Sequence, residues 1–139
     1  MTETLSEPDS VASDGPPPEL TVVVTLFQEQ ATLDELHRRL TATLQGFGRP
    51  YEMIYVDDGS TDGTFATLER IHGGDDRLRA VRLKRNVGQH PAMHAGLSRA
   101  RGAIVVTMDG DLQNQPEDVP RLVEAVEAGS DVASGRRTA

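Results

Sequence analysis

The stretch Ala103-Ile-Val-Val-Thr-Met-Asp-Gly-Asp111-Leu-Gln113 decides the fold. Residues 103–108 form an uninterrupted, largely apolar run rich in β-branched side chains, read as a buried strand. Two carboxylates, Asp109 and Asp111, follow it without a spacer. A strand that ends abruptly in acidic residues is what an open α/β sheet presents at its carboxyl edge, where ligands bind.

Working outward, the same pattern recurs upstream. Leu20–Leu26 is Val-rich and reads as a strand buried on both faces; Tyr51–Val56 and Leu78–Leu83 read as two more. Between them lie helical stripes. Leu33, Leu36, Leu40 and Leu44 share one face, opened by the capping box Thr32-Leu-Asp-Glu35 and stopped at Gly46. Phe65, Leu68 and Ile71 follow Asp62 as a helix cap and end at Gly73-Gly74. Pro91 suits the first turn of a helix running to Arg101. A last helix begins near Asp118, with Val119, Leu122, Val123 and Val126 inward, and Asp131–Ser134 reads as a fifth strand. Strands alternating with helices predict right-handed βαβ units and an open, Rossmann-like, mostly parallel sheet.

Residues 1–19 carry Glu3, Glu7, Asp9, Asp14 and Glu19, no basic residue, and Pro16-Pro17-Pro18. They offer too little apolar area to offset the entropy of ordering, and a disordered tail is expected there, with one domain over residues 20–139. The net charge of −8 argues against nucleic-acid binding. Positive charge gathers between Arg77 and Arg101 and at Arg136-Arg137, enough to meet one diphosphate. There is no cysteine, so disulfides and thiolate metal sites are excluded. Apolar runs of about seven residues fall short of the roughly 20 that span a bilayer, and the acidic N-terminus is unlike a signal peptide. A cytoplasmic location is expected, or a peripheral one at the inner face of the plasma membrane.

Four loops follow the four strands: Phe27-Gln28-Glu29, Asp57–Asp62, Arg85–His90 and Asp109–Gln113. Asp109 and Asp111 can share one hard cation such as Mg²⁺, which is typically held by one or two carboxylates plus substrate phosphates, and Gln113 adds a nearby amide. The bland alternative is that both carboxylates only cap a turn. Asp57 can accept a hydrogen bond from a base N–H, and Arg85 can meet a phosphate or form a solvated rim. Glu29 can serve the site or complement a helix dipole. Residues Asp58–Glu69 nearly fit a calcium-binding EF-hand loop, but a strand precedes them instead of a helix. His90 and His94 lie one helical turn apart, as a metal pair or as a cap and a packing residue. No dinucleotide or P-loop glycine motif is present.

Taken together, the four loops resemble glycosyltransferase family 2. Val24–Glu29, Val56–Asp62 and Asp109-Gly-Asp111 resemble three of its motifs in order. Arg85–His90, Met108–Asn114 and Pro116-Glu117 resemble the branch that charges polyprenyl phosphates, which includes dolichol-phosphate mannose synthases and undecaprenyl-phosphate sugar transferases. The resemblance implies a UDP- or GDP-linked sugar donor, Mg²⁺ or Mn²⁺, and inversion at the anomeric carbon, with a polyprenyl phosphate as acceptor. It implies that Phe27, Glu29 and Asp57 surround the nucleotide base and ribose, and Asp58 and Asn86, in the second and third loops, are expected to bind the nucleotide as well. Asp109 would lie by ribose and metal, Asp111 and Gln113 would hold the metal on the diphosphate, and Arg137 matches an arginine of the family's segment after the fifth strand; Arg85, from its own place after the third strand, is expected to meet phosphate. Asp109 and Asp111 would thus carry the catalysis. The chain departs from the family at Thr25 (usually Pro), Gln28 (Asn), Gly110 (Ala) and Gln115 (often Pro). The family's acceptor-binding segment lies beyond the equivalent of Ala139. A non-catalytic nucleotide-sugar-binding module is therefore the alternative, and a nucleotidyltransferase ranks last because residues 26–31 hold no glycine.

Overall fold

The computed structural model describes residues 2–4 and 17–129. In chain order the elements are β1 (Thr2–Thr4), β2 (Leu20–Leu26), α1 (Leu33–Phe47), β3 (Tyr51–Asp57), α2 (Thr64–Gly73), β4 (Leu78–Leu83), α3 (Gln89–Leu97), β5 (Ile104–Asp109), a 3-10 turn (Pro116–Asp118) and α4 (Val119–Glu127). They build a five-stranded sheet ordered β1-β4-β3-β2-β5. Four strands run parallel, and β1 lies antiparallel on β4. The tail expected over residues 1–19 therefore contributes Thr2–Thr4 to the sheet. An unpaired strand edge offers a row of N–H and C=O groups, and the short segment pairs with the Val81–Leu83 half of the β4 edge.

Period-two alternation divides the apolar side chains between two faces. Val22, Val24, Met53, Tyr55, Ala80, Val106 and Met108 face one core with the leucine stripe of α1, Leu68 and Ile71 of α2, and Val119 and Val123 of α4. Val23, Ile54, Val56, Val81 and Leu83 face the other, covered by Ala92 and its neighbours on α3. There a Cβ on Gly96 would lie 2.4 Å from Val23 Cγ1, so glycine lets α3 sit close on the sheet. The chain proceeds from β2 outward to β4, and α3 then carries it back to β5 on the other side of β2. The strand order switches between β2 and β5, and this positions the site.

Several local expectations change. α1 runs past Gly46 and ends at Gly48, whose φ of 77° and N–H bond to the Leu44 carbonyl supply the left-handed cap. The capping box does not form: the Thr32 hydroxyl points to Glu29 and Gly110, and Glu35 pairs with Arg38. Gly63 holds the cap position of α2, with Asp62 Oδ1 accepting Thr64 N–H at 2.9 Å. α3 stops at Leu97 because the backbone beyond it turns to meet Glu52 and Arg79. In α4, Leu122 and Val126 are only half-buried.

β5 differs most. Its apolar run predicts an enclosed strand, yet only Val106 and Met108 are buried, and Val105 is 38% exposed. α3 covers β2 and β3 on that face, and among the described residues nothing pairs with the outer edge of β5. The expected fifth strand at Asp131–Ser134 lies outside the described residues. No helix among the described residues is long and apolar enough to cross a membrane.

Candidate functional site

All four loops converge at the carboxyl edge, and hydrogen bonds sew them into one unit. After β2, Gln28 takes a left-handed φ of 55°, and its Oε1 accepts the N–H groups of Thr61 (2.7 Å) and Asp62 (3.2 Å). Gln28 N–H donates to Ser60 Oγ and Glu29 N–H to Thr64 Oγ1. These contacts bind the first loop to the second and leave Phe27 45% exposed. The extra methylene of Gln28, relative to the family's Asn, is used in this stitching.

The second loop holds the third. Asp58 accepts Val87 N–H at 2.8 Å, Gly88 N–H at 3.1 Å and Asn86 Nδ2 at 3.0 Å. Gly59, at φ 71°, lies so close that a Cβ there would come within 2.3 Å of the Arg85 carbonyl carbon. A side chain at that position would drive the two loops apart.

The fourth loop begins at the last residue of β5. Asp109 pairs in register with Thr25, whose hydroxyl donates to Asp109 Oδ1 at 3.3 Å. Proline, usual in the family here, has no such donor. Gly110 N–H bonds to the Thr25 carbonyl at 2.9 Å and the Gly110 carbonyl accepts from Thr32 Oγ1 at 3.0 Å. Leu112 takes a φ of 63°, turning the chain so that Gln113 N–H reaches Asp111 Oδ1 at 3.1 Å.

Between these loops lies a cleft of about 330 Å³. Of the residues singled out from sequence, Phe27, Glu29, Asp58, Asn86, Asp109 and Asp111 line it. Thr25, Leu26, Gly88 and Gln89 line it as well. Gln89 belongs to a loop that sequence reading flagged, but its Nε2 hydrogen bond to Asp109 Oδ1 depends on the crossover of α3 and has no local signature.

Three singled-out residues among those described are not brought into the lining. Asp57 is wholly buried, and burial pushes its carboxyl up while the Ser60 hydroxyl and N–H hold it down. Its Oδ1 accepts Ser60 N–H at 3.1 Å, so it shapes the loop from beneath. Arg85 and Gln113 are both exposed and are not among the lining residues. Arg137 lies outside the described residues. His90 and His94 are both exposed, and among the described residues no group of three or more His, Asp or Glu side chains is arranged to hold a metal ion by itself.

Electrostatics favour a cation in the cleft. Burial is the main cause raising the Glu29 carboxyl; the charges of Asp111, Asp109 and Asp62 add to it, and the Thr32 hydroxyl opposes it. Asp109 and Asp111 therefore share their cleft with a third carboxylate that is reluctant to ionise. Two hard oxygen donors with room beside them fit a Mg²⁺ or Mn²⁺ ion that is completed by phosphate oxygens and water.

The family model described as Glycosyl transferase family 2 matches residues 21–139. Over 114 residues the chain is 45% identical to the undecaprenyl-phosphate 4-deoxy-4-formamido-L-arabinose transferase of Edwardsiella ictaluri, covering 81% of this chain and 35% of that protein. The chain spans about a third of the length of the curated relatives it matches. Among solved structures, it is similar to the mannosyltransferase PcManGT from Pyrobaculum calidifontis in complex with GDP-Man and Mn²⁺. That match has a TM-score of 0.65 at 26% identity, over 80% of this chain and 34% of the other. S. aureus TarS in complex with UDP matches with a TM-score of 0.55 at 25% identity, over 67% of this chain and 27% of the other. The sheet order, the cleft at its switch point and these likenesses agree, and the chain belongs to glycosyl transferase family 2.

Proposed function

We propose that this chain is the donor-binding part of a metal-dependent, inverting glycosyltransferase that moves a sugar from a UDP- or GDP-linked donor to a polyprenyl phosphate. The observation that carries the reading is the meeting of Asp109 and Asp111 with Glu29 in one cleft at the switch between β2 and β5. The relatives named as undecaprenyl-phosphate transferases support the acceptor class, and the neighbour bound to GDP-Man and Mn²⁺ supports the donor and metal.

Asp109 and Asp111 would hold the cation, with Thr25 fixing the Asp109 carboxylate and Gln113 N–H fixing that of Asp111. The chemistry supplied by bound Mg²⁺ or Mn²⁺ is neutralisation of charge on the departing diphosphate. Phe27, exposed at the rim, offers an apolar face to the nucleotide, and the Asp58-clamped loop presents Asn86 and Gly88 beside it. A phosphate acceptor is already anionic near neutral pH and needs no general base. Arg137, by its place in the family pattern, would meet the diphosphate.

The test is thermal melting of the chain with UDP or GDP and Mg²⁺. At a hundred times the dissociation constant, binding stabilises by about 2.7 kcal/mol, a rise of several degrees. Asp111→Ala should abolish the rise. Failure of every nucleoside diphosphate to shift the wild-type transition would overturn the reading.

A further inference from the structure

Gln89 is an exposed residue that opens α3 at the rim of the cleft, with its Nε2 donating to Asp109 Oδ1. An exposed side chain that is held by one hydrogen bond in water gains little stability from it. The contact is set by placement. Beneath Gln89 the backbone is fixed, because Val87 and Gly88 both donate to Asp58 and Ala92 is buried one turn on. Only the Gln89 side chain remains to turn. Asp109 Oδ1 keeps its second donor, Thr25 Oγ1, on the neighbouring strand.

We propose that Gln89 is a positioning residue of the donor site: its amide caps Asp109 until that carboxylate turns to a divalent cation, and the freed amide then meets oxygens of the donor. The inference rests on the reading of Asp109 and Asp111 as cation ligands. An N–H pointing at a carboxylate oxygen and a cation approaching the same oxygen oppose one another, since both present positive charge to it. Vacating the site's cation therefore favours the capped arrangement, and loading it releases the cap. Glutamine suits the second state too, because its amide both donates and accepts and so serves phosphate oxygens or sugar hydroxyls alike.

The experiment titrates Mn²⁺ into the full 139-residue chain and reads free Mn²⁺ by its six-line paramagnetic resonance signal, first alone and then with UDP or GDP. Gln89→Ala should bind Mn²⁺ alone on the order of three- to tenfold more tightly, the scale of one removed competing hydrogen bond, and should gain less from added nucleotide than the wild type gains. Gln89→Glu should bind Mn²⁺ at least as tightly as Gln89→Ala, because a carboxylate replaces the competing donor. A residue that merely supports the loop would weaken Mn²⁺ binding in both variants. Equal or weaker Mn²⁺ binding by Gln89→Ala, beside a wild type that binds, would overturn the proposal and leave the metal reading intact. A wild type that binds no Mn²⁺, or an Asp111→Ala variant that binds as well as wild type, would overturn the metal reading and this inference with it.

Discussion

Thr32 and Gly110, 78 positions apart, are joined by a hydrogen bond of 3.0 Å from the Thr32 hydroxyl to the Gly110 carbonyl. The same hydroxyl lies 3.0 Å from Glu29 Oε2, so one side chain at the entrance of α1 touches both the acidic first loop and the loop carrying Asp109 and Asp111. A helix-capping role would have been purely local. The observed role couples the geometry of the Asp109–Asp111 loop to the entrance of α1.

Thr32→Val keeps the shape and removes the hydroxyl. It should cost about 1 kcal/mol of stability, the usual worth of one hydrogen bond, and weaken Mn²⁺ binding a few-fold because the Gly110 segment loses its tie. Melting and Mn²⁺ titration read the two effects separately. Loss of stability with unchanged Mn²⁺ affinity would show that the loop keeps its geometry without Thr32.

Glu29 gives a prediction with a definite sign in pH. Its folded-state value lies above the ordinary 4.5, chiefly through burial and then through its acidic neighbours. A carboxyl that is raised on folding contributes stability below 4.5 and loses it as pH rises through the folded value. At pH 7 the ionised group therefore burdens the fold. Glu29→Gln should melt higher than wild type at pH 7, and the difference should shrink below pH 4.5. The same variant should bind Mn²⁺ more weakly, because the cleft loses a negative charge. A variant that melts lower than wild type at pH 7 would contradict the account.

Glu52, 3% exposed at the opposite end of the sheet, behaves in the reverse sense. Burial alone would push its carboxyl up. The Thr21 hydroxyl at 2.6 Å, the Arg101 N–H at 2.8 Å and the charges of Arg79 and Arg101 outweigh burial and hold it below 4.5. Its contribution is present above 4.5 and is lost as pH falls through the lowered value. Glu52→Gln should destabilise the chain by about 3 kcal/mol at pH 7, since Arg79 is left buried without its counter-charge. Denaturant unfolding at pH 7 and below pH 4 checks this: the gap between wild type and variant should narrow in acid. An equal gap at both would rule out the charge as its origin.

The alternation of Val-rich runs with leucine stripes, the acidic ends of the strands and the Asp109–Asp111 pair were all legible in residue order. Each is written in local periodicity, which depends only on neighbours within a few positions. Six of the residues that line the cleft were legible for the same reason, as side chains at or just past the end of a strand, five of them polar.

Tertiary structure alone decided which of those side chains face the cleft and what each one touches. Asp57 and Asp58 are adjacent, alike in sequence and both buried, yet the pleat turns one to Ser60 beneath its own loop and the other to the Asn86 amide and the Val87 and Gly88 N–H groups. Thr25 meets Asp109 because of the β2–β5 register, and Gln89 reaches the same carboxylate because α3 crosses back over the sheet. β5 is half-exposed because α3 covers its neighbours instead. Register, crossover and burial are set by packing between segments that are distant in sequence, and no local pattern of residues encodes them.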